Sequence, residues 1–212
     1  VGSEMCIRDS YVGVSCGFHD AALSVINTTG DIVFAAHSER YNKTKHTKSL
    51  CIDIAKDAIN YIDDKVEIHY YERPWLKYLR QIRAGEKTSI VNLFAKNLIG
   101  EELLHTICNE FKPKIYTYNH HLSHAAAGFQ TSPFTQATVV IIDAIGEFDT
   151  ISIWEAKYIN DKAVYKKLWG QKYPNSIGLF YSAMTKKVGL HPLDEEYILM
   201  GMSAVSYTHL RA

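Results

Sequence analysis

The order in which β-type and helical periodicities succeed one another is the feature that most restricts the fold. Tyr11–Phe18 (YVGVSCGF) alternates large and small residues, Ala21–Asn27 (AALSVIN) is a second apolar run, and Ile32–Ala36 is a third. Thr28-Thr29-Gly30-Asp31 is a turn signal that makes the last two a hairpin. The period then changes. Cys51, Ile54, Ala55, Ala58 and Ile62 share one face of a helix over Lys48–Ile62, and Val66–Tyr71 reads as a fourth strand. Glu72–Asn97, charged and aromatic, reads as surface helices inserted on the main fold. Ile99, Leu103, Ile107 and Phe111 mark another helix face, ended by Pro113, and Lys114–Tyr118 is strand-like and leads into a helix over His120–Gln130. Ala137–Ile142 reads as a buried strand, and Thr150–Trp154 and Val164–Trp169 as the next two. Pro174-Asn175-Ser176 starts a helix carrying Ile177, Phe180, Tyr181, Met184 and Val188, with Gly189 at its stop.

The resulting order, βββ-α-β-α-β-α-βββ-α, predicts an α/β fold. It has the pattern of a ribonuclease-H-like, actin-like unit (the sugar-kinase superfamily), a mixed sheet with flanking helices. Among the 212 residues, 23 Lys+Arg balance 23 Asp+Glu, which argues against a dedicated nucleic-acid binder. No apolar stretch approaches the roughly 18–20 residues needed to span a bilayer. Cys6, Cys16, Cys51 and Cys108 are scattered without a CxxC, so a reducing, cytoplasmic setting is expected, and Cys16, Cys51 and Cys108 read as small core residues rather than nucleophiles. The two ends read differently from the middle. Val1–Ser10 (VGSEMCIRDS) and Val205–Ala212 (VSYTHLRA) resemble translated sequencing-adapter strings, so the native domain is expected over 11–204. A domain cut there is expected to expose apolar surface on its C-terminal side and to be marginally stable.

Four segments carry chemistry-bearing residues. On a helix, His120 and His124 of His120-His121-Leu122-Ser123-His124 share a face. At that spacing they either bind one divalent metal or are a pair of surface or capping histidines. Asp143 follows the apolar run and opens Ala144-Ile145-Gly146-Glu147. A carboxylate there completes a metal site or caps a turn. Gly17-Phe18-His19-Asp20 lies at the first turn, suited to an anion or a proton relay, or to a polar turn with no role. Ser38–His46 is dense in charge. Arg40 and Lys45 suit phosphate or carbamoyl oxygens, and the alternative is a solvated loop.

Taken in order, GFHDAALSVI with GDIVFAAHSERYNKTKH, then NHHLSHAAAGFQTSPF, TVVIIDAIGEFDTISIW, NSIGLFYSAMTKKVGL and EEYILMGMSA resemble the N-terminal part of the O-carbamoyltransferase family of nodulation-factor and antibiotic-tailoring enzymes. The resemblance runs from about Tyr11 to Ala204. It departs at Ala144, where the family usually has Gly, in the Ser-Glu-Arg-Tyr-Asn-Lys-Thr-Lys-His loop, and after Ala204. The resemblance implies transfer of a carbamoyl group from carbamoyl-adenylate, made by a C-terminal domain of the same chain from carbamoyl phosphate and ATP, to a hydroxyl of a small-molecule acceptor. It implies His120, His124 and Asp143 as ligands of a divalent metal, commonly iron. His19, Lys45, His46 and Glu147 are then the catalytic candidates, and Asp20, Glu39 and Arg40 would bind substrate. No nucleic-acid or membrane partner is implied, and this chain alone is expected to be inactive. Two other readings share the fold. One is an actin-like or sugar-kinase-type ATPase, in which the histidines have no role. The other is a non-catalytic assembly module, which would tolerate their loss.

Overall fold

The computed structural model describes residues 9–63, 65–108 and 114–209. Phe111 and Pro113, and the parts of the two terminal strings at 1–8 and 210–212, lie outside the described residues. The chain forms two compact units, 1–123 and 124–212, divided within one continuous helix.

The first unit is built on a five-stranded sheet of order β3-β2-β1-β4-β5. β1 (Asp9–Ser15), β2 (Ala22–Ile26) and β3 (Ile32–His37) form an antiparallel meander, while β4 (Lys65–Tyr70) and β5 (Lys114–Thr117) run parallel to β1. An antiparallel β1–β3 followed by parallel β4 and β5 is the ribonuclease-H-like arrangement that the sequence order predicts. Strand β1 begins at Asp9, before the apolar run, and Ser10 is fully buried, its hydroxyl accepting from Asp63 N–H at 2.9 Å.

Alternation along the strands decides the core. Val12, Val14, Leu23, Val25, Ile68 and Tyr70 point to one face, covered by Ile54, Ala55 and Ala58 of α2 (Ile52–Ala58). This helix is shorter than the sequence pattern suggests, and Ile59–Tyr61 continue it as a 3-10 turn. The inserted segment holds α3 (Pro74–Arg83) and α4 (Ala95–Ile99). Gly100, at φ 95°, separates α4 from α5 (Glu101–Ile107), so the single expected helix face is two helices. A short α1 (Ser38–Asn42) follows β3.

The second unit holds most of α6 (His120–Gln130), then the antiparallel sheet β6 (Gln136–Gly146), β7 (Asp149–Ile159) and β8 (Lys162–Lys172), and α7 (Ile177–Lys187) and α8 (Glu196–His209). Ser176 caps α7 through its hydroxyl, which accepts from Leu179 N–H at 3.0 Å, as the Pro-Asn-Ser signal predicts. The expectation of a buried strand over Ala137–Ile142 is corrected. Ile141 is buried between exposed Val140 and Ile142. β6 is an edge strand of an antiparallel sheet, where alternate side chains face opposite sides. Phe180, Met200 and Trp169 are among the exposed apolar side chains of this unit.

Tyr70 links the ends of β1 and β4. Its buried hydroxyl donates to the Cys16 carbonyl at 2.6 Å. Tyr70→Phe leaves that carbonyl without its donor and is expected to cost about 1–3 kcal/mol, read as a lower urea midpoint at unchanged slope.

Candidate metal centre

The register of the first sheet gathers most of the candidate residues at one end. Ser15 pairs with Ala22, Ala22 with His37, Val14 with Tyr70, and Tyr70 with Thr117. The loops leaving β1, β3, β4 and β5 therefore all start from the carboxyl ends of parallel strands, where α/β sheets place ligands. They carry His19 and Asp20, then Glu39 to His46, then Glu72, then His120.

Two of these loops are laced together. Gly17 N–H donates to Lys48 O at 2.8 Å and Ala21 N–H to Thr47 O at 2.8 Å. Asp20 consequently lies between two imidazoles, with Oδ2 2.7 Å from His19 Nδ1 and Oδ1 3.4 Å from His46 Nδ1. Asp20 (φ 49°) and His46 (φ 54°) both hold left-handed backbone, a conformation that non-glycine residues keep where the surroundings impose it. Partial burial pushes the Asp20 carboxyl up. The hydrogen bond and charge of His19, then those of His46, outweigh it and hold the group below its usual range.

Glu39 and Arg40 sit on α1, their charged groups 3.9 Å apart, with Arg40 well exposed. The Lys43 ammonium donates to Arg40 O at 2.7 Å, whereas Lys45 is exposed in the loop beyond.

His120 and His124 stand one turn apart on α6, which has the span that the sequence predicts. One ligand atom each from His120, His124 and Asp143 lies within 4.8 Å of the others. Asp143 is inside β6, three residues before its end, at a register shift between Ile142 and Gly146 rather than at the close of a regular strand. Its Oδ1 accepts from Ala144 N–H at 2.7 Å. The start of α7 presses on the same bulge. Ser176 Oγ donates to Ala144 O at 2.7 Å, and a Cβ on Gly178 would stand 2.6 Å from Ala144 Cα. Ala144 keeps negative φ, so an alanine is accommodated there without backbone strain. Glu147 is buried in the β6–β7 turn with φ 52°. His121 is fully buried, whereas His124 is exposed.

Sequence reasoning missed Glu72. It follows β4 and is only 2% exposed. Its Oε1 accepts from Lys77 Nζ at 2.8 Å and from the Tyr71 hydroxyl at 3.1 Å, and its Oε2 lies 3.4 Å from His120 Nδ1. Burial pushes this carboxyl up, but His120 and Lys77 together hold it below its ordinary value. Ser123 Oγ donates to Tyr71 O at 2.7 Å, which ties α6 to the same segment. No local motif marks this carboxylate. The one available signal was a Glu directly after an apolar strand. Burial pushes the Cys16 thiol up to about 12, which fits the reading of this cysteine as a core residue.

The family model described as carbamoyltransferase N-terminus matches residues 10–209. The chain belongs to this carbamoyltransferase family. Curated relatives include an uncharacterised protein of Synechocystis sp., 29% identical over 91% of this chain and 34% of the relative. Another is nodulation protein NolNO of Sinorhizobium fredii, 28% identical over 87% of this chain and 27% of the relative. The chain thus spans about a third of the length of the relatives it matches. Among solved structures, the Aquifex aeolicus PPX-GPPA enzyme aligns over 90% of this chain and 59% of its own, at 12% identity and a TM-score of 0.35. Among the described residues no helix is long and apolar enough to cross a membrane.

Two measurements test this geometry within the carbamoyltransferase domain. Gly178→Ala forces α7 away from the bulge at Asp143 and is expected to cost about 1–3 kcal/mol in urea unfolding, with amide shifts at Asp143 and Ala144. Asp20 has a depressed folded pKa, so its contribution is present above its unfolded value near ~3.9 and is lost as pH falls through the folded one. Wild type should therefore exceed Asp20→Asn in urea midpoint above pH ~4, and the gap should close on acidification. A gap that persists unchanged to lower pH contradicts the assignment.

Proposed function

We propose that this chain is the acceptor-side domain of a metal-dependent carbamoyltransferase, cytoplasmic and acting on a hydroxyl of a small molecule. The observation that carries the reading is the convergence of His120, His124 and Asp143 in a chain of this family. Two imidazoles and a carboxylate are a donor set suited to iron(II) among the divalent metals, and the buried Glu72 behind His120 is the outer carboxylate such ligands commonly have. Once bound, the cation supplies Lewis-acid polarisation.

The remaining work falls to side chains of this domain. The acceptor oxygen attacks the carbamoyl carbon of carbamoyl-adenylate, and a C–O bond forms. The bond from that carbon to the phosphate oxygen breaks, and its electron pair leaves with AMP. The hydroxyl proton passes to a ring nitrogen of His19 or His46. Asp20 lies against Nδ1 of both, which leaves Nε2 for the proton. Arg40 and Lys45 offset the phosphate charge that develops on the leaving group, while Lys43 is engaged at the Arg40 carbonyl. Glu39 helps to hold the substrate, and Glu147 lines the acceptor pocket. Carbamoyl-adenylate itself, made from carbamoyl phosphate and ATP, comes from a further domain of the same polypeptide, consistent with the greater length of the relatives. The balanced charge supports a small-molecule acceptor over a nucleic acid.

The test is metal analysis and a carbamoyl-transfer assay on the longer protein. About one divalent metal per chain is expected. The His120→Ala/His124→Ala double variant should lose the metal, and its transfer should fall to background. Full transfer by that variant sinks the reading. ATP hydrolysis that persists without transfer favours the sugar-kinase-type alternative.

A further inference from the structure

We infer that Glu72 is a positioning residue that sets the tautomer of His120 so that its Nε2 lone pair is available to a metal. The inference rests on the reading of His120, His124 and Asp143 as a metal site, and goes beyond it by giving a role to a residue outside that set. The geometry of the two carboxylate oxygens carries it. Oε1 is occupied by two donors, the Lys77 ammonium at 2.8 Å and the Tyr71 hydroxyl at 3.1 Å. Oε2 faces His120 Nδ1 at 3.4 Å, an ion-pair distance rather than a closed hydrogen bond. A carboxylate is acceptor-only, so the ring nitrogen facing it carries the hydrogen, and in a neutral imidazole the other nitrogen is then the bare one.

Lys77 reaches Glu72 from α3, the inserted helix, and its ammonium also lies 5.2 Å from the centre of the Phe18 ring. A buried carboxylate without such partners would be costly. Here Lys77, Tyr71 and His120 together compensate it, which accounts for a charged group at 2% exposure. The insertion, read from sequence as surface helices, thus supplies the cation that fixes which oxygen meets the histidine.

Glu72→Gln is an isosteric test with an unusual consequence. Lys77 and Tyr71 both donate, so they retain the amide oxygen, and the amide NH2 turns toward His120 Nδ1. That nitrogen must then accept, the hydrogen moves to Nε2, and the lone pair this inference assigns to a metal is lost. In the metal-free chain at pH 8, 15N shifts of the His120 ring should report the Nδ1–H tautomer in wild type and the Nε2–H tautomer in Glu72→Gln. Co2+ affinity, from chelator competition, should fall roughly 10–100-fold in Glu72→Gln. A merely structural role would not invert the tautomer. Should Glu72→Gln fail to fold, the wild-type spectrum alone decides, because an Nε2–H ring there overturns the inference. With His120→Ala unable to bind Co2+, a wild-type tautomer and affinity in Glu72→Gln overturn the positioning role alone. Undiminished Co2+ binding by His120→Ala overturns the metal reading and this inference with it.

Discussion

A carboxylate at 2% exposure has to be compensated, and the compensation of Glu72 joins three segments at one end of the first sheet. The partners come from three places: Lys77 from the inserted helix, Tyr71 from the end of β4, and His120 from the start of α6. The need to satisfy one buried charge draws them into a single arrangement, reinforced by the Ser123 hydroxyl on the Tyr71 carbonyl and the edge-to-face approach of Tyr71 and His120.

The topology makes this possible. β1, β3, β4 and β5 all run in one direction, so the four loops that leave their carboxyl ends start from the same end of the sheet. Loop residues as far apart in sequence as 19 and 120 therefore follow strand ends on the same side of the sheet. In the second unit a different device aims a side chain. A register shift in β6 carries Asp143, and the absence of a Cβ at Gly178 lets the start of α7 rest on that backbone.

Legibility differed sharply from element to element. α6 matched its sequence span, because its helical run begins at the histidines and ends in the Thr-Ser-Pro turn just after Gln130. β6 and β7 proved longer than their apolar runs, because pairing in a ladder extends strands beyond the residues whose hydrophobicity announces them. Val140 and Ile142 misled for a related reason. A β-branched run records strand propensity, while burial depends on which faces the sheet has covered. His19, Asp20 and His46 were each noticed as polar loop residues. That one carboxylate lies between two imidazoles depends on hydrogen bonds between loops some thirty residues apart, such as Ala21 to Thr47.

By itself the sequence determined the features that local periodicity and spacing dictate: the succession of strands and helices, the two histidines one helical turn apart, and the resemblance that names the family. These are properties of short segments, governed by backbone geometry and by which face of an element is apolar. The tertiary structure alone decided which carboxylates are buried and what they lie against. Glu72 looks like any charged residue after a strand until burial removes water and forces it to find Lys77, Tyr71 and His120. Asp143 is a strand-end acid until a bulge brings it to the same cluster as the histidines. A charge takes its meaning from its surroundings, and those are assembled by packing between segments that are distant in sequence.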